Sequence, residues 1–206
     1  MKALVHPTYM PNIGHFSAML QAENLVFEVC DNYQKQTYRN RCAIYGPNGK
    51  LALTVPVSYT QKDRQLYKDV KIYNAEDWQG QHLKSLQTAY NMSPFFEFYE
   101  DELMPLFTQK YDFILDYNLK CLEVLCECLQ VNLEFSFSKK FELRPENTID
   151  FRGLANPKIK TELQFETYTQ VFTEKHGFIE NLSILDLLFN EGPNSVSYLE
   201  RQNLNL

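Results

Sequence analysis

The sequence predicts an α/β protein with an N-terminal βαβ unit, a mixed sheet and a helical insertion or cap. Three observations predict this class: a strand–helix–strand pattern at the start, a turn sequence between two apolar strands, and amphipathic helices around residues 74–130. All 206 residues, 1–206, are interpreted as one domain, because chains of this length commonly form one compact unit.

The βαβ unit is predicted from the spacing of apolar residues. Ala3–Val5 is a short apolar strand, and a proline-containing loop follows it. Apolar residues at spacings of three and four then indicate a helix from Ile13 or Gly14. Leu25–Cys30 has the composition of a second strand, and this order of elements favours a parallel pair.

The remaining chain carries a hairpin, several helices and a long loop. The turn Gly46-Pro47-Asn48-Gly49 separates apolar strands at 38–45 and 51–57. The other expected elements are a strand at 69–73, helices from Asn74, from Ser93-Pro94 and over 110–129, a strand at 133–137, a loop at 138–162 and a helix at 182–189. The last residues, 200–206, are expected to form a tail.

Composition and charge restrict the function. The net charge is −6 and the isoelectric point is near 5.3, which argues against nucleic-acid binding because that needs a basic face. No apolar run is long enough to span a membrane, and the start has no export-signal pattern. The five cysteines are therefore expected to be reduced thiols in a cytoplasm.

The chain is rich in aromatic residues, with 15 Phe and 13 Tyr. Tyrosines of this kind line a cleft, form the rim of a core or form a partner surface. A homodimer would be one use of such a surface.

The segment from His6 to His15 has the layout of an anion site. A strand ends, a proline-containing loop turns, and a helix begins at Gly14-His15, so that backbone N–H groups and the positive helix end lie beside an imidazole. Gly14 would let a ligand approach the backbone closely. The alternative is a loop with two structural histidines.

This segment resembles the histidine–x–glycine–histidine signature of HUP-type nucleotidyltransferases and pantothenate-synthetase-like ligases, with Asn12 in place of the first histidine. The resemblance implies that His15 stabilises phosphate charge while ATP is attacked at its α-phosphate.

Two arginines provide a second candidate for anion binding. In the strand predicted at 38–45, alternation places Arg39 and Arg41 on one face and Asn40 on the other. Paired guanidinium groups suit a carboxylate or phosphate ligand. Pairing with acidic neighbours at the surface is an equally weighted alternative.

Cysteine and the remaining histidines carry weaker signals. Residues two apart on a helix point in different directions, so Cys126 and Cys128 cannot share a tetrahedral metal ion, and no metal site is expected. His82 lies on an apolar helix stripe, where it is either structural or directed into a cleft. Walker, Rossmann and nucleophile-elbow motifs are absent from the sequence.

Several blocks, taken in order, resemble the WbqC-like protein family. They are His6–Phe16, Asn40-Arg41 before the hairpin, Leu53-Thr54-Val55-Pro56-Val57 on its return strand, Trp78, His82 and Tyr90 on a helix, and Asn181–Gly192 near the end. The compact length is similar to members from Bacteroidetes. Two departures are His6, where many members have glutamine, and the short stretch 150–157, where many have a glycine-rich segment.

The resemblance implies a role in surface-polysaccharide (O-antigen) biosynthesis, by aminoacyl or acyl transfer to an activated amino sugar. ATP or a sugar nucleotide would be the cofactor or substrate. Under this hypothesis His15 and Asp186 are catalytic, and the substrate is bound by His6, Tyr9, Asn12, Gly14, Arg39, Asn40, Arg41 and His82. The missing first histidine of the signature, where Asn12 stands, and the short stretch 150–157 favour a rival reading, a nucleotide- or glycan-precursor-binding or assembly protein without turnover.

A small anionic ligand is the expected partner. We expect the Pro7–His15 loop, the Arg39–Arg41 segment and the Asp186 helix to converge on one cleft, because ligands lie beyond the carboxyl ends of parallel strands.

Overall fold

The computed structural model describes residues 2–60, 64–159 and 163–204. Within these ranges the strands are β1 Lys2–Val5, β2 Asn24–Phe27, β3 Arg41–Gly46, β4 Gly49–Thr54, β5 Val57–Ser58, β6 Lys71–Ile72, β7 Phe135–Phe137 and β8 Ile149–Asp150. The helices are α1 Ile13–Leu20, α2 Trp78–Tyr90, α3 Phe96–Thr108, α4 Ile114–Leu129, α5 Thr173–His176, α6 Ile184–Glu191 and α7 Ser195–Arg201.

The central sheet has four parallel strands in the order β7-β2-β1-β8. Strands β1 and β2 pair from Lys2 opposite Asn24 to Val5 opposite Phe27, with α1 as the connection between them. This arrangement confirms the α/β class and the N-terminal βαβ unit.

The hairpin does not join this sheet. Strands β3 and β4 pair only with each other, as an antiparallel ribbon that closes at Gly46 and Gly49. Strands β5 and β6 form a second small ribbon. The expected mixed sheet is therefore a parallel sheet with two separate antiparallel ribbons.

Helix α1 is buried along nearly its whole length. It lies between β1 on one side and the C-terminal helices α6 and α7 on the other, which explains why residues 13–19 are all buried. Its start is capped by the Asn12 side chain, which accepts a hydrogen bond from the His15 amide at 2.9 Å. Helices α2, α3 and α4 pack side by side, as the sequence predicts for residues 74–130.

The five most deeply buried tyrosines lie inside the core rather than at its surface, and each hydroxyl has a hydrogen-bond partner. They are Tyr9 with His82, Tyr45 with two backbone carbonyls, Tyr67 with Pro7, Tyr90 with Asp186, and Tyr117 with Leu106. Burial of a tyrosine is favourable only when its hydroxyl is satisfied, so these contacts account for the aromatic composition of the core.

Two predictions about irregular segments are wrong. Of the loop predicted at 138–162, residues 160–162 lie outside the described residues; the described part, 138–159, is not one loop, because β8 joins the sheet beside β1 and a 3-10 turn follows it at Arg152–Ala155. The tail predicted at 200–206 is also wrong for its described residues, 200–204. Residues 200 and 201 belong to α7, Leu204 is buried, and Gln21 donates hydrogen bonds to the carbonyls of Leu199 and Gln202.

Among the described residues, the helices are too short or too polar to cross a membrane.

Candidate functional site

Polar side chains follow the carboxyl ends of all four parallel strands. His6 follows β1, Glu28 follows β2, Ser138 follows β7, and Asp150 ends β8. Ligands of open parallel sheets bind beyond this edge. The parallel topology therefore gathers these groups at the place where a ligand would be expected.

The first part of the cluster is a buried trio. Nη2 of Arg39 donates a hydrogen bond to Oδ2 of Asp31 at 2.7 Å and lies 2.6 Å from Nε2 of His6. A guanidinium has donors only, so Nε2 of His6 must accept, and the ring proton lies on Nδ1. That nitrogen is 3.3 Å from the backbone oxygen of Glu28.

His6 is consequently neutral. Burial lowers its pKa well below the ordinary value, and the charge of Arg39 lowers it further. The short distance of 3.3 Å between His6 Nε2 and Asp31 is then not an ion pair. The ion pair in this trio is Arg39–Asp31. Burial lowers the pKa of Arg39, and the nearby charge of Asp31 opposes this shift only in part.

The second part of the cluster is centred on Arg152. Its Nε and Nη2 donate to the two carboxylate oxygens of Asp150 at 2.8 and 2.7 Å, in a forked arrangement. Its Nη1 lies 3.6 Å from Oε2 of the buried Glu28. Hydrogen bonding to Asp150 raises the pKa of Arg152. For Asp150, burial alone would raise the pKa, but the hydrogen bonds from Arg152 outweigh burial, so the pKa of Asp150 is lowered.

Glu28 joins the strand ends to each other. Its Oε1 accepts hydrogen bonds from the Ser138 hydroxyl at 2.7 Å and from the Cys30 amide at 2.8 Å. These contacts tie the end of β2 to the end of β7, while Arg152 ties it to the end of β8.

A cleft of about 290 Å³ opens over this cluster. Its floor is formed by His6, Asp31, Arg39, Asp150 and Arg152, and further lining comes from Gln34, Thr37, Gly153, Ala155, Asn156, Phe141, Leu143 and Ile159. The two guanidinium groups are matched by two carboxylates and His6 is neutral, so the lining carries no net charge. The cleft therefore offers separate positive and negative groups rather than one positive surface.

The start of α1 is occupied by the chain itself. The Ile13 amide donates to the Leu182 carbonyl, and the Gly14 amide donates to the Asn181 side chain, both at 2.9 Å. A Cβ on Gly14 would lie 2.8 Å from Cδ1 of Leu163, so the space beside it is filled. A phosphate at this helix start would have to displace these contacts.

His15 lies in the interior beneath the cleft. It is fully buried, and neither ring nitrogen makes a hydrogen bond of good geometry with the described residues. Burial lowers its pKa to about 4, and the backbone of His6 opposes this only in part. His15 is thus a neutral group behind His6 and does not line the cleft.

The arginine pair predicted on one strand face is separated by the backbone. Residues 38–40 form a turn and β3 begins only at Arg41, so the strand prediction for Arg39 is wrong. Asn40 holds this turn against the hairpin, because its side chain donates to the Val55 carbonyl and its own carbonyl accepts from the Val55 amide. Arg39 enters the cleft, whereas Arg41 is half-buried outside it.

Tyr9 and His82 lie in an aromatic part of the core. The Tyr9 hydroxyl is 2.9 Å from Nδ1 of His82, and the Tyr9 ring stacks on Tyr117. Trp78 packs edge-on against His82. Burial lowers the pKa of His82 to about 4, so this histidine is neutral too.

Asp186 lies in another buried polar network. Its oxygens accept hydrogen bonds from the hydroxyls of Tyr90 at 2.8 Å and Tyr168 at 2.6 Å, and from the Gln170 amide at 2.9 Å. Burial raises the pKa of Asp186, and the hydrogen bonds from these three donors oppose this shift only in part. The network joins α2 and α6 to the segment 168–170 and does not line the cleft.

Of the residues singled out in the sequence, the structure therefore places His6 and Arg39 at the cleft, and it pairs Tyr9 with His82 elsewhere in the core. The cluster adds Asp31 and Glu28, which sequence reasoning did not select, and Asp150 and Arg152, which lie in the stretch 150–157 noted only as a departure from the family pattern. One signal was available: Glu28 is the one charged residue in the apolar segment Leu25–Cys30.

These features define a class: an α/β protein with a charged cleft at the carboxyl edge of a short parallel sheet. The chain belongs to the WbqC-like protein family, whose model matches residues 6–163 and 158–198.

A relative from Mycobacterium tuberculosis (strain ATCC 25618 / H37Rv), named "Uncharacterized protein Rv1507c", is 24% identical over 223 residues, which cover 96% of each chain. No solved structure matches the chain.

Proposed function

We propose that this protein acts in surface-polysaccharide biosynthesis, in a cytoplasm, and forms an amide by transferring an acyl or aminoacyl group to an activated amino sugar. The cleft at the carboxyl edge of the sheet would be the site. The observation that carries the proposal is the pairing of two guanidinium groups with two carboxylates around one small cleft.

An amino sugar phosphate is itself zwitterionic, so it matches a cleft without net charge. Asp31 and Asp150 would attract the ammonium group, and Arg39 and Arg152 would bind the phosphate. Nε of Arg39 and Nη1 of Arg152 have no hydrogen-bond acceptor among the described residues, but both atoms are buried, so an anionic oxygen would reach them only if these side chains turned towards the cleft. A volume of about 290 Å³ is at the lower end for ligand sites, so the cleft would enclose a small ligand or one end of a longer ligand.

The residues would differ in role. Arg39 and Arg152 bind, Asp31 and Asp150 orient the amine, and His6 holds Arg39 in place through its neutral ring. His15 and Asp186 would have structural roles, as buried groups that support the surrounding helices. For transfer the bound ammonium would first lose a proton to solvent water. The neutral nitrogen then attacks the activated acyl carbon, the bond to the donor's leaving group breaks with its electron pair going to that group, and the nitrogen gives up a second proton to the leaving group or to solvent.

Binding of glucosamine 1-phosphate tests this proposal by calorimetry. We expect it to bind more tightly than glucose 1-phosphate, which has no amine, and N-acetylglucosamine 1-phosphate, whose nitrogen is uncharged. Arg152→Gln should weaken binding about tenfold to a hundredfold, since a charge-assisted contact is lost. Arg201→Gln is the matched control, because Arg201 is an exposed arginine outside the cleft.

A second candidate function is binding without turnover. It is favoured by one observation: His6 is the one histidine among the described residues lining the cleft, and both of its nitrogens are engaged. No imidazole there is free to move a proton. Incubation with glucosamine 1-phosphate and each acyl donor in turn (an acyl thioester, an aminoacyl-tRNA, or an amino acid with ATP) separates the two functions. A mass increase of one acyl group supports transfer, while binding without any such product supports the rival.

A further inference from the structure

The mouth of the cleft is apolar, although its floor is charged. Phe141, Leu143 and Ile159 line it and are 43%, 78% and 50% exposed. Exposed apolar side chains are unremarkable singly, but three at the mouth of one cleft mark a ligand-binding surface. The ligand that fits the whole cleft has a polar part and an apolar part.

Arg152 connects the two regions. Its guanidinium lies 5.1 Å from the centre of the Phe141 ring, and Nη2 also donates to the Leu143 carbonyl at 3.3 Å. The same guanidinium is forked onto Asp150 in the floor. The position of the apolar mouth is therefore fixed relative to the charged floor, and one ligand can contact both.

The shape and chemistry of the mouth favour a flat heterocycle. Phe141 offers a single aromatic ring, and Leu143 and Ile159 flank it from two different segments of the chain. Gln34 and Asn156 also line the cleft, and their amides can exchange hydrogen bonds with the edge of a base.

We propose that the mouth, Phe141 with Leu143 and Ile159, is a subsite for the pyrimidine base of a nucleoside diphosphate sugar. The small volume of the cleft favours a one-ring base over the larger purine. This inference rests on the proposed function, because the sugar phosphate must occupy the floor while the base stacks at the mouth.

The test compares UDP-glucosamine with glucosamine 1-phosphate by calorimetry. Wild-type protein should bind UDP-glucosamine more tightly. Phe141→Ala should weaken binding of UDP-glucosamine about fivefold to a hundredfold, because the stacking contact is lost, and should affect glucosamine 1-phosphate much less, because Asp150 still holds Arg152 in place. Phe98→Ala is the matched control, since Phe98 is 74% exposed on α3 and does not line the cleft.

Each other outcome has a defined meaning. If glucosamine 1-phosphate binds and the uridine part adds no affinity, the base subsite is overturned and the proposed function stands. Equal weakening of both ligands by Phe141→Ala also overturns it, as does tighter binding of ADP-glucose than of UDP-glucose. If UDP binds in a Phe141-dependent manner but glucosamine 1-phosphate does not, the subsite stands and the amino-sugar proposal fails. If none of these ligands binds, both are overturned.

Discussion

At the scale of single residues, the partners of each histidine define its state. His6 accepts from Arg39 and faces a backbone carbonyl, so its tautomer is determined by donors and acceptors around it. His82 has the Tyr9 hydroxyl as a partner, whereas His15 has no partner of good geometry. The three buried, neutral imidazoles therefore differ in which neighbouring polar groups would lose a hydrogen-bond partner if the ring were removed.

His15→Leu and His82→Leu should therefore have different effects at pH 7. His82→Leu leaves the buried Tyr9 hydroxyl unpaired and should reduce the free energy of unfolding by roughly 1–3 kcal/mol. His15→Leu removes an unsatisfied polar ring, so the free energy of unfolding should stay within about 1.5 kcal/mol of wild type or rise. Urea denaturation measures both.

The His15 variant also tests the catalytic role that the sequence suggested. Ligand binding by folded His15→Leu should match wild type, because His15 does not line the cleft. A variant that is as stable as wild type but has lost binding or transfer would show that His15 reaches the ligand after all.

At the scale of elements, α4 shows how apolar spacing defines a buried face. Leu115, Leu122 and Leu129 recur every seven residues and are buried, which confirms the predicted stripe, while Leu119 and Cys126 at its edge are only half-buried. The helix ends with Gln130 in the left-handed conformation at φ 56°, and the Val131 amide donates back to the Cys126 carbonyl.

Leu122→Ala should reduce the free energy of unfolding by roughly 2–5 kcal/mol, because it leaves a cavity where α4 meets the core. Leu119→Ala is the matched control on the same helix and should cost clearly less, since part of that side chain is already in contact with water. Chemical denaturation compares the two, and equal losses would mean that α4 is rotated relative to this structure.

At the scale of the whole molecule, the buried histidines make stability depend on pH. In the unfolded chain each histidine takes up a proton near pH 6.5, whereas burial lowers the folded pKa of His15 and His82 to about 4 and that of His6 well below its ordinary value. Between these pH values the unfolded state binds more protons, so the free energy of unfolding falls as pH is lowered.

The expected loss between pH 7 and pH 4 is on the order of 3 kcal/mol for each of His15 and His82. Asp186 acts with the opposite sign, because its raised pKa lets the folded state hold a proton that the unfolded chain has already lost. Three histidines against one carboxyl should give a net loss. Urea denaturation at pH 7, 6 and 5 checks this, and His15→Leu should show a shallower dependence; a slope identical to wild type would contradict the assignment.

The sequence by itself determined the α/β class, the βαβ unit and the helices of residues 74–130, because these depend on apolar spacing along the chain. It also predicted that the segments 6–15 and 31–41 are neighbours, since both follow the carboxyl ends of neighbouring parallel strands; His6 and Arg39 confirm this, whereas Arg41 and Asp186 lie outside the cleft. Such adjacency follows from topology and needs no knowledge of side-chain packing.

Only the tertiary structure decided which charges meet and which polar groups are enclosed. Arg39 is paired with Asp31 rather than aligned with Arg41 because the chain turns at residues 38–40 and β3 begins one residue later. Strand β8 is two residues long, too short to carry a periodic pattern, yet it places Asp150 and Arg152 at the cleft. His15 and Asp186 are enclosed because helices cover α1 and α6 on several sides, and that burial depends on contacts between elements far apart in the chain.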